Sequence, residues 1–482
     1  MSRQRRRRRA SARGPVAVTT ALLLLLGACS PDPGGSAGEG TGEETEQPAA
    51  TAGADPSAGG PEPTGSTTAA GDDGTATAGE GGDEGERTGQ PEPAVRPGLP
   101  SAQQLSRARQ DVRDLDTQRL AGQVVVAAYP GTDPAAAAAL VRQHHLAGVI
   151  TLGGNVPEDP DARVDALTGL TGAVQQAVTD DGRDWPAFLG IDQEGGAITR
   201  VGAPLDRWPT AMALGAADRP ELAGQAAEAS GEQLAALGYT VVFAPVADVT
   251  TGPEDPTIGS RSPGSDPALV ARTATAQAGG YGLAGVVPVL KHFPGHGSVP
   301  ADSHLGTAVQ QADLATLRDR DLVPFAEGVA AGVPAVMTGH IVLPAVDDQP
   351  ATVSRAVTTG LLRQQLGFTG LVVTDALDMT GVSADLAPGE AAVRALLAGA
   401  DVLLMPPDPA AAVRAIETAV SEGRLPRERL EEAAARTVAT LRSHHRDRPD
   451  TDVLGSAGDL ARRVAAGPST TACPTSPRAP AW

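Results

Sequence analysis

Four apolar stretches of this chain each end in side chains that can gain or lose a proton. They end in Asp192, in Lys291 and His292, in His340, and in Asp375. Carboxylate, ammonium and imidazole groups are the side chains that enzymes use for nucleophilic attack and proton transfer. One such ending is common by chance, because every strand must meet water somewhere. Four of them at one rim of a fold predict an active site.

Lys291 is the only lysine, and the other 37 basic residues are arginine. A compact, strongly hydrated ammonium group is not interchangeable with a guanidinium in a tight pocket, so a single retained lysine indicates a functional position. Histidine is clustered as well, with four of the eight histidines between His292 and His340. His292 and His296 have the spacing of a metal pair on a helix, but Pro294 lies between them and excludes a helix there. We therefore predict no metal and no cofactor.

These residues are embedded in about 340 residues with one repeating pattern, a short apolar run followed by an Ala-rich helical stretch. The predicted strands are Val124–Ala128, Gly148–Leu152, Ala187–Asp192, Val241–Val246, Val286–Phe293, Ala335–Ile341, Leu371–Ala376 and Val402–Met405. The predicted helices are 134–145, 161–179, 219–237, 266–282, 312–330, 356–366, 389–398 and 408–421. Eight such units predict an α/β fold of the (β/α)8 TIM-barrel type, with a doubly wound open sheet as the alternative. In a barrel the active site lies at the carboxyl ends of the strands, where the four polar endings fall.

The ends of the chain differ in composition from this central region. Residues 30–100 contain fourteen acidic residues, two arginines and, apart from Leu99, no leucine, isoleucine or aromatic residue. Such a segment cannot bury enough apolar surface to offset its chain entropy, which predicts a disordered acidic tether rich in Gly, Pro and Thr. We therefore expect a leader over 1–28, a linker over 29–100, a barrel over 101–445 and a low-complexity tail over 446–482. Within the tail, Leu460–Ala466 could form one or two helical turns.

The leader carries seven arginines and no acidic residue, followed by an apolar run that includes five consecutive leucines. This is the pattern of an export signal, and its run is too short to span a membrane comfortably. It ends in Leu26-Gly27-Ala28-Cys29, which resembles a bacterial lipobox with Cys29 as the lipidated residue. The alternative is an ordinary signal peptide with an accidental cysteine. The lipobox predicts a protein held by its lipid on the extracellular face of the cytoplasmic membrane.

Charge and cysteine content exclude several classes of protein. The net charge of −20 argues against a nucleic-acid partner, which would select a basic surface. Two cysteines exclude a disulfide scaffold and any site that needs several cysteines.

Four motifs make the central region resemble glycoside hydrolase family 3, in its β-N-acetylhexosaminidase branch. They are I-D-Q-E-G-G at 191–196, F-A-P-V-A-D at 243–248, K-H-F-P-G-H-G at 291–297 with D-S-H at 302–304, and T-D-A-L-D-M at 374–379. The resemblance covers about 105–445 and implies a (β/α)8 barrel. One departure is Ala197, where relatives often carry an arginine. If that arginine steadies the loop, we expect a looser loop here.

The resemblance implies a role for each matching residue. Asp375 matches the catalytic nucleophile, and His304 matches an unusual general acid/base with Asp302 as its partner. The positions that hold the sugar are matched by Asp192, Arg200, Arg261, Lys291 and His292. These roles fit the requirements of a retaining glycosidase, which needs a carboxylate to form a glycosyl-enzyme and a proton donor for the leaving oxygen.

The implied activity is removal of terminal β-linked N-acetylglucosamine (GlcNAc) from cell-wall fragments, as in peptidoglycan recycling, or from chito-oligosaccharides. The alternatives are a β-glucosidase or xylosidase, a phosphorylase of the same family, and a glycan-binding lipoprotein without turnover. The expected partners are this carbohydrate and the membrane, and we expect a monomer. Among the remaining polar residues we interpret Glu194 and Asp248 as structural, and His340 as a residue that either lines the pocket or is buried and satisfied.

Overall fold

Eight parallel strands form a nearly closed barrel in the computed structural model, which describes residues 98–255, 257–299, 306, 308–383, 386–387 and 389–466. The strands are β1 (Val125–Ala127), β2 (Gly148–Thr151), β3 (Phe188–Ile191), β4 (Val241–Val242), β5 (Val287–Phe293), β6 (Ala335–Thr338), β7 (Leu371–Thr374) and β8 (Leu403–Leu404). From β1 to β7 each strand pairs with the next one in sequence, and β8 pairs with β1. A parallel bridge between Val373 and Val402 joins β7 to β8. The predicted barrel is confirmed, and all eight predicted strands contain an observed one.

The strands are buried on both faces, as continuous apolar runs predict. Alternate residues such as Ile150, Val289 and Met337 point into the barrel, where Phe188 and Phe243 stack with their ring centroids 6.2 Å apart. The residues between them pack outward against the helices. Each strand therefore contributes to two cores, one inside the barrel and one between the barrel and the helices.

Helices surround the barrel and return the chain from each strand to the next. They are Ala102–Arg113, Thr117–Gly122, Pro134–His144, Pro160–Asp180, Ala211–Ala217, Pro220–Ala236, Pro267–Leu283, Leu314–Asp319, Val323–Ala331, the π-helix Ala356–Gln365, Thr380–Ser383, Glu390–Ala398, Pro409–Ser421, Arg427–His444 and Gly458–Ala465. Four of them begin with Asp-Pro, in which the aspartate carboxylate accepts a hydrogen bond from a first-turn N–H and proline occupies the first helical position.

The helix predicted over 312–330 is wrong in one respect, because the structure divides it. Leu314–Asp319 ends at Arg320, whose φ of −127° and ψ of −78° are not helical, and a second helix starts at Val323. Pro324 explains the division, since proline fits the first turn of a helix but breaks its interior. The interruption places Asp321 inside the fold, beside the loop that follows β5.

A buried ion cluster joins the amino-terminal ends of β7 and β8, at the end of the barrel opposite the predicted active site. The Asp401 carboxylate is fully buried and receives hydrogen bonds from Arg363, Arg429 and Arg436 at 2.6, 2.9 and 3.1 Å. It also accepts the backbone N–H of Val372. Burial opposes ionisation of Asp401, but the three guanidinium groups outweigh it and lower its pKa. We interpret this cluster as a structural clamp on the seam of the barrel.

The terminal regions fall largely outside the described residues. The predicted leader, Cys29 and most of the predicted linker precede residue 98, and Cys473 follows residue 466. The part of the predicted tail that is described contains the helix Gly458–Ala465, whose Val464 is buried against Leu214 and Leu222. Among the described residues, no helix is long and apolar enough to cross a membrane.

Candidate active site

The predicted site residues that the structure describes lie at the carboxyl-terminal end of the barrel. Asp192 directly follows β3, Lys291 and His292 lie near the end of β5, and Asp375 directly follows β7. Parallel strands bring these positions to one rim although they are far apart in sequence. Asp302 and His304 lie outside the described residues, so their predicted roles remain predictions.

The side chain of Lys291 lies at the centre of an alternating chain of charges. Its Nζ is 3.0 Å from Asp192 Oδ1 and 2.8 Å from Glu194 Oε1. Arg261 forms a two-pronged pair with Glu194, at 2.9 and 2.7 Å. At the other end Arg200 Nη2 is 3.3 Å from Asp192 Oδ2. Four predicted sugar-binding residues are thus held together through Glu194, which the sequence interpretation treated as structural.

The three side chains at the centre of this row of charges, Asp192, Glu194 and Lys291, stay ionised. Burial disfavours the charged form of each, and it is the largest single effect on the pKa of Asp192, Glu194 and Lys291. Opposite charges outweigh burial, lowering the pKa of both carboxyls and raising the pKa of the ammonium. The Lys291 side chain, 3% exposed, therefore remains a cation between the two carboxylates.

A short hairpin after β3 positions Glu194. Its strands are Gln193–Gly195 and Ile198–Thr199, joined through two glycines whose φ angles are +94° and +57°. A Cβ on Gly195 would lie 2.5 Å from the carbonyl oxygen of Pro209, so only glycine fits. The buried Gln193 amide accepts N–H groups from Arg200 and Val201 and donates to the Val201 carbonyl. This amide steadies the hairpin that carries Ala197.

The Asp375 carboxylate is oriented by the backbone around it. Its own N–H donates to the Thr338 carbonyl at 2.9 Å, and its Oδ1 accepts the N–H of Ala376 at 2.8 Å. Its Oδ2 accepts no hydrogen bond from any residue that the structure describes. Burial would raise the pKa of Asp375, but the nearby imidazole rings of His292 and His340 and the Ala376 N–H lower it overall. The site therefore presents an ionised carboxylate with one oxygen available.

His340 is a buried histidine with both ring nitrogens in use. Nδ1 lies 2.8 Å from the Thr352 hydroxyl, and Nε2 lies 2.8 Å from the Ala376 carbonyl. A carbonyl can only accept, so Nε2 carries a proton. Of the two interpretations left open by the sequence, the structure supports the buried and satisfied one, and His340 braces the backbone next to Asp375.

Asp248 is fully buried beneath His292. Its Oδ2 is 2.7 Å from His292 Nδ1, and its Oδ1 accepts the backbone N–H groups of His292 and His296 at 3.1 and 2.7 Å. Asp248 therefore holds the backbone in place and also binds the side chain of His292, which is predicted to bind the sugar.

The sequence analysis missed the residues that anchor the described start of the loop after β5. Ser298 Oγ donates to Asp321 Oδ1 at 2.7 Å and accepts from Gln310 Nε2 at 2.6 Å. Burial raises the pKa of Asp321 above its ordinary value, and Arg320 and Ser298 offset this only in part. Pro324 was the available signal, because it marks the helix break that brings Asp321 to the loop.

Two further features of the described residues bear on where a ligand could bind. No group of three or more His, Cys, Asp or Glu side chains there is arranged to hold a metal ion. A cavity of about 510 Å³ opens between the helices Pro267–Leu283, Val323–Ala331 and Arg427–His444. It contains none of the predicted site residues, so we do not assign the active site to it.

Comparison with known proteins decides the family. Residues 112–441 match the glycosyl hydrolase family 3 N-terminal domain. The chain belongs to this family. β-Hexosaminidase A of Pseudoalteromonas piscicida is 37% identical over 284 residues, which are 55% of this chain and 47% of that protein. β-Hexosaminidase LpqI of Mycobacterium tuberculosis is 37% identical over 320 residues, which are 64% of this chain and 79% of that protein.

A solved structure agrees with these sequence relatives. The glycoside hydrolase family 3 β-N-acetylglucosaminidase of Paenibacillus sp. FPU-7 superposes with a TM-score of 0.68 and 36% identity, over 73% of this chain and 68% of that one. The chain spans about half the length of the Pseudoalteromonas relative. The resemblance inferred from the four motifs is confirmed, as is the enzyme class of glycoside hydrolase.

Proposed function

We propose that this protein is an exo-acting, retaining β-N-acetylhexosaminidase that releases terminal β-GlcNAc through a covalent glycosyl-Asp375 intermediate. The observation that carries the proposal is the ionised Asp375 carboxylate at the end of β7, with its Oδ2 unbonded among the described residues. The names of the relatives, β-hexosaminidase and β-N-acetylglucosaminidase, support GlcNAc as the sugar. Cell-wall fragments and chito-oligosaccharides are the substrates that we propose.

The proposed reaction assigns one step to each group. Asp375 Oδ2 attacks the anomeric carbon, while His304, assisted by Asp302, protonates the leaving oxygen. The same histidine then takes a proton from a water molecule, which attacks the glycosyl-Asp375 ester. This step frees the Asp375 carboxylate and leaves His304 protonated again. Lys291, Arg200, Arg261, Asp192 and His292 hold the sugar hydroxyls so that the anomeric carbon lies above the carboxylate.

Hydrolysis of chromogenic β-GlcNAc, β-glucoside and β-xyloside by the purified full chain tests the sugar preference. We expect release from β-GlcNAc at least tenfold above the other two sugars, with the same rate in buffers with and without phosphate. Preference for glucose or xylose would favour the glucosidase or xylosidase alternative. Turnover that requires phosphate would favour a phosphorylase, and no release under any condition would favour a glycan-binding protein.

His304→Ala is expected to slow different substrates to different extents. A nitrophenolate leaves without protonation, so chromogenic β-GlcNAc should lose about tenfold in the glycosylation step. An unactivated chito-oligosaccharide needs the proton and should lose about 10²–10⁴-fold. Pre-steady-state measurements with both substrates check this, and equal losses on the two would contradict the role of His304 as proton donor.

We also propose that Cys29 carries a lipid that anchors the protein on the outer face of the cytoplasmic membrane. The small residues before Cys29 support this proposal. Cys29→Ala should move the protein from the membrane fraction to the soluble fraction and abolish incorporation of labelled fatty acid. Membrane recovery and labelling unchanged by Cys29→Ala would contradict it.

A further inference from the structure

The contact between Asp248 and His292 determines which nitrogen of the imidazole carries a proton. Burial alone would raise the pKa of Asp248, but the neighbouring imidazole rings of His292 and His296 and the hydrogen bonds that Asp248 accepts from them lower it to about 2. Asp248 is therefore a carboxylate, and a carboxylate can only accept hydrogen bonds. The 2.7 Å contact with His292 Nδ1 requires the proton to be on Nδ1.

In a neutral imidazole the other ring nitrogen is then defined as well. His292 Nε2 makes no hydrogen bond to any residue that the structure describes. In the neutral ring with Nδ1 protonated, Nε2 has a lone pair and acts as an acceptor. The adjacent Lys291 is a pure donor, and two of its three N–H bonds face Asp192 and Glu194. An acceptor and a donor from neighbouring residues suit a hydroxyl, which donates one hydrogen bond and accepts another.

We infer that Asp248 is a positioning residue, which holds His292 in its neutral Nδ1–H tautomer so that Nε2 accepts a hydrogen bond from a sugar hydroxyl. This inference rests on the proposed function for the identity of the ligand, but the protonated nitrogen can be measured without any turnover. Both Asp248 oxygens are in use, Oδ2 by His292 Nδ1 and Oδ1 by the backbone N–H groups of His292 and His296, so Asp248 acts through these residues and not on the sugar directly.

Asp248→Asn separates this role from a purely structural one. The asparagine oxygen can still accept the two backbone N–H groups, whereas its amide NH₂ would face Nδ1 and donate to it. Nδ1 must then be the acceptor, and the proton moves to Nε2, which becomes a donor. We expect kcat/KM to fall about 10–100-fold, the size of loss known for removing the carboxylate behind a metal-binding histidine, while the folded state is retained.

Imidazole ¹⁵N–¹H correlation spectra of the full chain labelled at histidine provide the direct readout. Comparison with His292→Ala assigns the His292 ring. We expect protonated Nδ1 in the wild type and protonated Nε2 in Asp248→Asn. The same protonated nitrogen in both proteins, or Nε2–H in the wild type, would overturn the inference. If the wild type hydrolysed none of the sugars tested, the proposed function would fail, and the spectra would still decide the question of the proton.

A double-mutant cycle provides the kinetic test. If Asp248 works through His292, Asp248→Asn should cost less than about threefold in kcat/KM once His292→Ala is present. A full additional 10–100-fold loss in the double variant would assign Asp248 a merely structural effect on the site. Asp401→Asn is the matched control, because Asp401 is equally buried but lies at the opposite end of the barrel. It should lower stability and leave the His292 spectrum unchanged.

Discussion

Asp375→Asn is expected to lower kcat for β-GlcNAc hydrolysis by about 10⁴-fold, the order of loss when a group of a catalytic constellation is removed. Such a loss corresponds to about 5 kcal/mol of transition-state stabilisation. Asparagine has nearly the same shape and keeps the hydrogen bond from the Ala376 N–H through its oxygen. The protein should therefore fold normally, and its melting temperature should stay within a few degrees of the wild type.

A second variant at this position distinguishes lost chemistry from a disturbed site. Asp375→Ala leaves space beside the anomeric carbon, where added azide can replace the carboxylate as the nucleophile. Azide should raise turnover of chromogenic β-GlcNAc and release a glycosyl azide of inverted anomeric configuration. An Asp375→Asn variant with more than about a tenth of wild-type activity would contradict the nucleophile assignment.

Lys291→Met is expected to damage both stability and activity. Methionine fills a similar volume, but it leaves the Asp192 and Glu194 carboxylates without the ammonium group between them. Removing one partner of a buried ion pair costs about 3–5 kcal/mol, so the free energy of unfolding should fall by that amount. Loss of a group that holds the sugar should also lower kcat/KM by about 10²-fold or more. Denaturant titration and steady-state kinetics measure the two effects.

Two controls separate charge from geometry. Lys291→Arg keeps the positive charge, but the planar guanidinium cannot occupy the position of a compact ammonium, so activity should remain low. Arg272→Met breaks an ion pair with Asp218 in which both side chains are at least 40% exposed. That pair should contribute less than about 1 kcal/mol. Equal stability losses in Lys291→Met and Arg272→Met would show that burial of the Lys291 pairs has no energetic consequence.

The barrel could be predicted from sequence because its strands are buried on both faces. Each strand is then a continuous apolar run, which stands out between Ala-rich helical stretches, and eight repeats of the unit favour a closed sheet over an open one. The positions of Asp192, Lys291 and Asp375 follow from the same pattern, since a polar residue directly after a parallel strand lies on the rim. Their assigned roles came from the family resemblance, because no local pattern distinguishes a nucleophile from a helix cap.

The contacts between side chains from distant strands could not be predicted. Glu194 is next to two glycines in a hairpin, and nothing local shows that it joins Lys291 to Arg261, 67 residues away from Glu194. The same limit applies to Asp248, whose partner His292 is 44 residues further along the chain. Both carboxylates pair with residues from other strands or loops, and such pairing is fixed only when these segments assemble. The helix break at Arg320 did have a local signal in Pro324.

The most direct test of the account is to identify the residue that carries the sugar during turnover. The full chain would be mixed with a 5-fluoro glycosyl fluoride of GlcNAc, which forms a glycosyl-enzyme faster than water can break it. Digestion and mass spectrometry should locate one added sugar on the peptide that contains Asp375, and Asp375→Asn should remain unlabelled. A sugar on any other residue, or rapid turnover of the wild type with no covalent adduct, would contradict the central claim.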